Sequence, residues 1–196
     1  IVAFNTAVRT YATGLRPAAE RAEAQAFVRK LPAEGGTNIH RALLEALSMA
    51  AADRPQFIVF LTDGLPTAGM TDVQRIIAEV SDTAGDNVRL FAFGVGYDVN
   101  TFLLDSVSQE QRGVSAYVEP GQDIEEEVSA FYTKISTPLL ADLELDIDGV
   151  VVEDLYPYPL PDLFAGGQLL VVGRYREGDQ ARVTLAGTVN GRERSF

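Results

Sequence analysis

Apolar runs that alternate with amphipathic helical stretches constrain the fold of this chain more than any other feature. The runs "FIVFL" at residues 57–61 and "RLFAFGVG" at 89–96 have the length and composition of strands. Apolar residues at helical spacing lie before, between and after them, at 39–50, 71–83 and 100–108. This alternation favours a parallel sheet wrapped by helices on both faces. A continuous apolar run also predicts that the strand at 57–61 is buried on both faces.

The pattern changes near residue 138. In "LADLELDIDG" apolar residues alternate with acidic ones, which is typical of a half-exposed strand, and further short strands follow between Gly, Pro and Asp. We therefore predict an α/β domain with a Rossmann-like, mostly parallel sheet at 1–136 and a small antiparallel β module at 138–196. Because the first residues already have strand character and the last carry no stop signal, we expect the chain to be a piece of a longer protein.

Charge and composition exclude several classes of partner. Lys and Arg number 16 against 28 Asp and Glu, a formal net charge of −12. Nucleic acids and anionic membranes bind basic surfaces, so neither is expected as a partner. The sequence has no apolar run long enough to cross a bilayer and no signal peptide at its amino terminus. With no cysteine, disulfides and thiolate metal sites are excluded, while the compartment stays open.

One carboxylate stands out, at the end of the apolar run in "FIVFLTDGLPT". Asp63 follows the strand directly, and ligands of open α/β sheets sit beyond the carboxyl ends of the strands. Thr37, between a Gly-Gly pair and a helix, is expected on the same rim. A carboxylate and a hydroxyl on two loops suit Mg²⁺, which prefers oxygen ligands. The structural alternative is that Asp63 caps the next turn and Thr37 caps its helix.

The segments "GGTNIHRAL", "IVFLTDG" and "LFAFGVG" together resemble the von Willebrand factor type A domain, over roughly residues 1–136. The resemblance implies a metal-ion-dependent adhesion site in which Thr37 and Asp63 are metal-site residues and Gly64 lets the loop turn tightly. It also implies a protein partner that offers an acidic side chain to Mg²⁺. The family's first metal loop, Asp-x-Ser-x-Ser, does not occur in this sequence. We therefore expect the site to be incomplete and Mg²⁺ binding to this chain to be weak or absent.

The tail, "DLYPYPLPDLFAGGQLLVVGRYREGDQARVTLAGTVNG", is similar to the segment that follows the A domain in inter-alpha-trypsin inhibitor heavy chains and their bacterial relatives. That resemblance implies a multidomain protein located outside the cell, at its surface or in the periplasm. The Tyr and Pro cluster in this tail has a simpler interpretation, as an extended stretch packed on a sheet.

Two other functions remain open alongside a non-enzymatic adhesion or protein-interaction domain. A Mg²⁺-dependent phosphotransferase or phosphatase would need a second carboxylate near Asp63, and position 65 is Leu65. A purely structural module of a larger protein is the third class. In the resembled fold a further strand separates the strand at Val2–Phe4 from the one at 57–61. We therefore expect two apolar strands to face a gap in this chain. The flanking strands could close up, a second copy could donate a strand, or the first residues could fill the slot, and of these outcomes we favour self-association.

Overall fold

The computed structural model describes residues 1–51, 54–135, 138–164, 167–178, 180–189 and 192–196. The helical elements are a 3-10 turn at Ala18–Glu20 followed by α1 Arg21–Val28, α2 Ile39–Ser48, α3 Val73–Thr83, α4 Thr101–Glu110 and α5 Ile124–Ile135. The strands are β1 Val2–Phe4, β2 Val8–Thr10, β3 Gln56–Thr62, β4 Val88–Val95, β5 Ser115–Val118, β6 Pro138–Asp148, β7 Val151–Tyr156, β8 Leu163–Phe164, β9 Val172–Arg176, β10 Arg182–Val189 and β11 Arg192–Ser195. Among the described residues, no helix is both long and apolar enough to cross a membrane.

A parallel sheet in the order β3-β4-β5 forms the centre of the first part of the chain. Strand β4 lies in the middle and pairs with β3 from Gln56 opposite Val88 to Thr62 opposite Gly94. Its side chains are buried along nearly the whole strand, which explains its apolar sequence. The predicted parallel sheet is confirmed.

Helices cover both faces of β4. On one face Ile39, Leu43 and Leu47 recur at helical spacing along α2 and are buried with residues of α3, α4 and the sheet in one cluster. On the other face the ring of Phe131 in α5 packs edge-on against Phe93, with centroids 4.5 Å apart. The predicted placement of helices on both faces is confirmed.

The prediction that the strand at 57–61 is buried on both faces is wrong. Phe57, Val59 and Leu61 are 46%, 41% and 41% exposed. They share a face with Phe91 and Phe93 of β4, because Val59 pairs with Phe91 and Leu61 with Phe93. Phe131 covers the two β4 rings, whereas β3 is the edge strand of the sheet and has no comparable cover among the described residues.

A short antiparallel hairpin of β1 and β2 lies beside this edge. The ring of Phe4 stacks on that of Phe60, with centroids 5.3 Å apart. The hairpin forms a sheet of its own, so side-chain packing rather than a strand ladder holds it against β3.

The remainder of the chain is antiparallel. One sheet has the order β11-β10-β6-β8 and a second pairs β7 with β9. Along β6, Leu143 is buried while Asp142 and Glu144 are exposed, so the predicted half-exposed strand is confirmed. The predicted domain boundary falls at residues 136–137, outside the described residues. The antiparallel part packs on the parallel sheet through the rings of Phe164 and Phe91, 5.7 Å apart.

Candidate functional site

The loops that carry Thr37 and Asp63 lie side by side at one rim of the parallel sheet. Asp63 follows the last residue of β3 and is exposed, and Thr37 stands two residues before α2 and is half-buried. A methyl group placed on Gly64 would lie 3.5 Å from the Thr37 hydroxyl oxygen, an ordinary contact distance. The structure therefore brings together the two loops that the sequence singled out.

Backbone hydrogen bonds to a second threonine fix the position of Thr37. Its N–H donates to the Thr67 hydroxyl oxygen at 2.9 Å, and its carbonyl accepts from the N–H groups of Thr67 at 3.0 Å and Ala68 at 3.3 Å. Thr67 belongs to the loop that follows Asp63. These bonds clamp the two loops to each other at Thr37.

The turn between β1 and β2 supports the clamp from the other side. The Gly36 N–H donates to the Thr6 hydroxyl oxygen at 2.8 Å, and the Asn38 N–H donates to the carbonyl of Asn5 at 2.9 Å. A Cβ on Gly36 would lie 3.1 Å from the Thr67 hydroxyl oxygen, tighter than ordinary contact. Gly35 has φ +89°, a conformation that favours glycine. The Gly-Gly pair therefore lets the chain pass close enough to place Thr37.

Neither Thr37 nor Asp63 serves as a cap in the structure, although capping was the structural alternative for both. Asn38 caps α2, since its side-chain oxygen accepts from the Arg41 N–H at 3.2 Å. The turn after β3 is closed by the Thr62 hydroxyl, which contacts both the N–H and the carbonyl of Gly64. Gly64 does not have a positive φ, so the turn does not require a left-handed residue there. Within the described residues, neither the Thr37 hydroxyl nor the Asp63 carboxylate has a hydrogen-bond partner, and both are available to a ligand.

This donor set fits Mg²⁺ in kind but not in number. One hydroxyl and one carboxylate are hard oxygen ligands, yet Mg²⁺ takes about six of them. In the part of the chain that the structure describes, no group of three or more His, Cys, Asp or Glu side chains could hold a metal ion. The Asp105 carboxylate on α4 is engaged elsewhere, because it accepts hydrogen bonds from Ser115 and Tyr117. The assignment of Thr37 and Asp63 as metal ligands stays a prediction.

Sequence reasoning missed the residues that position the rim. Thr67 stands in the quoted segment "FIVFLTDGLPT", but its role depends on Thr37, which is distant in sequence. Thr6 and Asn5 sit in a short polar turn with no motif of their own. The glycine pair before Thr37 signals that other segments pass close to it, but it does not identify those segments.

The fold and this rim define the class of protein. A model of the von Willebrand factor type A domain matches residues 1–117, more than half of the chain, and the chain belongs to that family. It is also similar to inter-alpha-trypsin inhibitor heavy chain H2 of Mesocricetus auratus, with 31% identity over 194 residues that cover 93% of this chain and 20% of that protein. Heavy chain H6 of Homo sapiens is 33% identical over 168 residues, which cover 80% of this chain and 13% of the relative. The chain thus spans about a fifth or less of the length of these relatives.

A solved structure shows the same architecture. The von Willebrand factor type A protein from Catenulispora acidiphila superimposes with a TM-score of 0.67 at 21% identity, covering 99% of this chain and 54% of that one. At that identity the likeness shows the fold alone. It extends through the antiparallel part, so the arrangement of both parts is shared.

Proposed function

We propose that the chain is a non-enzymatic protein-interaction domain of the adhesion type, which binds its partner at the rim formed by the loops around Thr37 and Asp63. The observation that carries the proposal is the adjacency of these loops, with a hydroxyl and a carboxylate that have no other partner among the described residues. Support also comes from membership of the von Willebrand factor type A family.

Thr37 and Asp63 would hold Mg²⁺ at this rim, and the bound ion would supply an open coordination position for an acidic side chain of the partner. The charge balance favours such a partner. One carboxylate neutralises only half of the charge of a divalent cation, so the occupied rim would be locally positive. The chain as a whole carries a formal net charge of −12 and without the ion would repel an acidic protein.

Affinity for the ion should be low. With two protein ligands, most of the coordination sphere would be water, and little binding energy remains relative to the hydrated ion. We expect Mg²⁺ to bind this chain more weakly than micromolar. The sequence contains no Asp-x-Ser-x-Ser motif, whose side chains would complete the donor set.

The test is a titration of the chain with Mg²⁺, followed by the amide signals in a ¹H–¹⁵N NMR spectrum. Signals of Gly36, Thr37 and Gly64 should shift at millimolar Mg²⁺. Acetate, the simplest carboxylate, should then shift the same signals further, and only when Mg²⁺ is present. Asp63→Ala should abolish both effects, while the exposed Asp82→Ala on α3 should leave them intact.

Three outcomes would contradict the proposal. Shifts that spread over the acidic surface and survive in Asp63→Ala would show diffuse ion binding. Acetate shifts without Mg²⁺ would argue against a metal bridge. Micromolar affinity by calorimetry would mean that additional ligands take part.

In this function the rim binds a partner and catalyses no reaction. Leu65 stands near Asp63 where a phosphotransferase would need a second carboxylate, so the rim is suited to binding rather than phosphoryl transfer. By the same family relation, we propose an extracellular, cell-surface or periplasmic location for the protein.

A further inference from the structure

Two large aromatic side chains are exposed where strand β4 leads into helix α4. Tyr97, in the connecting loop, is 79% exposed, and Phe102, in the first turn of α4, is 57% exposed. A ring that stays in water gains little from folding, whereas aromatic rings that a partner covers are common anchors of protein interfaces. The connection between β4 and α4 is therefore a candidate contact surface.

This connection lies at the same rim as the candidate site. Strands β3 and β4 are parallel, and Thr62 pairs with Gly94, so Asp63 is level with Val95. Tyr97 follows two residues later. Because neighbouring strands are about 4.8 Å apart and rise about 3.3 Å per residue, the backbone at Tyr97 lies within about 10 Å of the backbone at Asp63. One protein segment can contact both residues.

The loop that carries Tyr97 is held in place on both sides. Before it, the Gly96 N–H donates to the Val118 carbonyl at 2.9 Å. After it, Val99 packs against the core of the parallel sheet, and the Asn100 side chain caps α4. A ring on a fixed loop loses little conformational freedom when a partner covers it, so more of the contact energy contributes to affinity.

The residue next to Tyr97 adds a repulsive element. Asp98 is exposed in the same loop. An acidic side chain of the partner that reached this loop would meet a like charge, which is unfavourable. Attraction by the ring and repulsion by the carboxylate together favour an apolar side chain of the partner at this position and disfavour an acidic one.

We propose that Tyr97 is a specificity-determining residue of the rim, which packs on an aliphatic or aromatic side chain of the partner protein. That side chain lies within about three positions of the acidic residue bound at the ion, the reach of an extended segment over this distance. The inference rests on the proposed function, because the acidic residue anchors the partner at Asp63. A segment with a single acid among apolar residues fits this rim, whereas a polyacidic segment does not.

Two small carboxylates separate this inference from the metal bridge itself. In NMR titrations at millimolar Mg²⁺, phenylpropionate should bind about three- to tenfold more tightly than acetate, the gain expected from one aromatic contact. Both ligands should shift the amide signals of Thr37 and Gly64. Only phenylpropionate should also shift those of Tyr97 and Asp98.

Variants then locate the preference. Tyr97→Ala should abolish the preference for phenylpropionate over acetate, and Tyr97→Phe should retain it because the ring remains. Tyr175→Ala, on β9 at a position that is 71% exposed, is the matched control and should leave the preference unchanged. Circular dichroism establishes that each variant is folded.

The repulsive element has a test of its own. Succinate and succinamate have the same size, but succinamate carries an amide in place of the second carboxylate. Asp98→Asn should raise the affinity of succinate relative to that of succinamate, because it removes the like charge beside the bound ligand. An unchanged ratio would show that Asp98 does not select against acidic neighbours.

The remaining outcomes distinguish this inference from the proposed function. Equal affinities for phenylpropionate and acetate would overturn the inference and leave the metal bridge intact. A preference that persists in folded Tyr97→Ala would place the apolar contact on another residue. Phenylpropionate binding that is equally strong without Mg²⁺ would show an apolar contact unrelated to the ion. If neither carboxylate binds in Mg²⁺, the proposed function and this inference are both wrong.

Discussion

At the scale of single residues, Asp105 links helix α4 to strand β5. The Tyr117 hydroxyl donates to its Oδ1 at 2.6 Å, and the Ser115 hydroxyl donates to the same oxygen. Burial raises the pKa of Tyr117, and the hydrogen bond to Asp105 raises it further. The folded chain therefore favours the neutral phenol, which can donate this bond, over the phenolate, which cannot.

This pKa shift predicts a loss of stability at alkaline pH. In the unfolded chain Tyr117 titrates near its ordinary pKa of 10.0, whereas in the folded chain it titrates later. Its contribution to the free energy of unfolding is thus fully present below about pH 10 and falls as pH rises through the folded-state pKa. In an absorbance titration of the seven tyrosines, one should ionise last, and Tyr117→Phe should remove that phase.

The control is Tyr158→Phe, at a position that is 76% exposed. It should leave the late phase and the alkaline loss of stability unchanged. If Tyr117→Phe loses stability with pH as steeply as the unsubstituted chain does, the hydrogen bond to Asp105 is not the cause.

At the scale of elements, the start of α2 positions the candidate site. Asn38 caps the helix and also donates from its side-chain Nδ2 to the Thr6 carbonyl at 3.4 Å. Asn38→Ala should lower the free energy of unfolding by about 0.5–2 kcal/mol, because it leaves the Arg41 N–H without its cap. Asn38→Ser retains a capping oxygen and should recover most of the loss. Urea unfolding measures both variants, and equal losses in the two would show that the cap contributes little.

The helices and strands of this chain could be predicted from their periodicity. Which elements pack on each face of a strand could not. Ile39, Leu43 and Leu47 of α2 are buried as their spacing indicates. The run at 57–61 looks equally apolar on both faces, and only the position of Phe131 over β4 shows that β3 lacks a comparable cover. Periodicity indicates which residues are suited to burial. Whether they are buried depends on which other elements pack against them.

The two loops of the candidate site could be predicted, because the end of a strand and a pair of glycines both mark loops. Thr37 and Asp63 were singled out by such local signals, and the structure places their loops together. The hydrogen bonds that the Thr67 and Thr6 hydroxyl oxygens accept could not be predicted, because each joins residues thirty positions apart. Such contacts depend on the packing of the whole domain rather than on local sequence.

At the scale of the whole molecule, a buried arginine joins the antiparallel part to the parallel sheet. Arg89, at the start of β4, donates to Asp162 at 2.7 Å and to Asp142 at 2.6 Å. The Arg89 and Asp162 side chains are only 6% and 3% exposed. Burial lowers the pKa of Arg89, but the hydrogen bonds and charges of the two aspartates outweigh it and hold the pKa above its ordinary value. The guanidinium therefore stays charged inside the interface.

Asp162 also binds the backbone, since its second oxygen accepts from the Asp142 N–H at 3.0 Å. Removing it leaves part of a buried cation without a partner, and such a loss costs about 3–5 kcal/mol. Asp162→Ala should fall near the lower end of that range, because Asp142 still pairs with Arg89. Asp154→Asn removes the charge of an exposed pair with Arg174, keeps a residue that tolerates the positive φ at this position, and should cost at most about 1 kcal/mol.

The variants also test whether the two parts unfold together. Hydrogen exchange of the unsubstituted chain should give similar opening free energies for the peptides from 56–95 and 138–164, because Arg89 and the Phe91–Phe164 contact couple them. In Asp162→Ala the peptides from 138–164 should exchange much faster, while β4 stays protected by its own core. In Asp154→Asn both should stay as protected as before. If the peptides from 56–95 and 138–164 lose protection equally in Asp162→Ala, the two parts unfold as one cooperative unit that Arg89 stabilises as a whole.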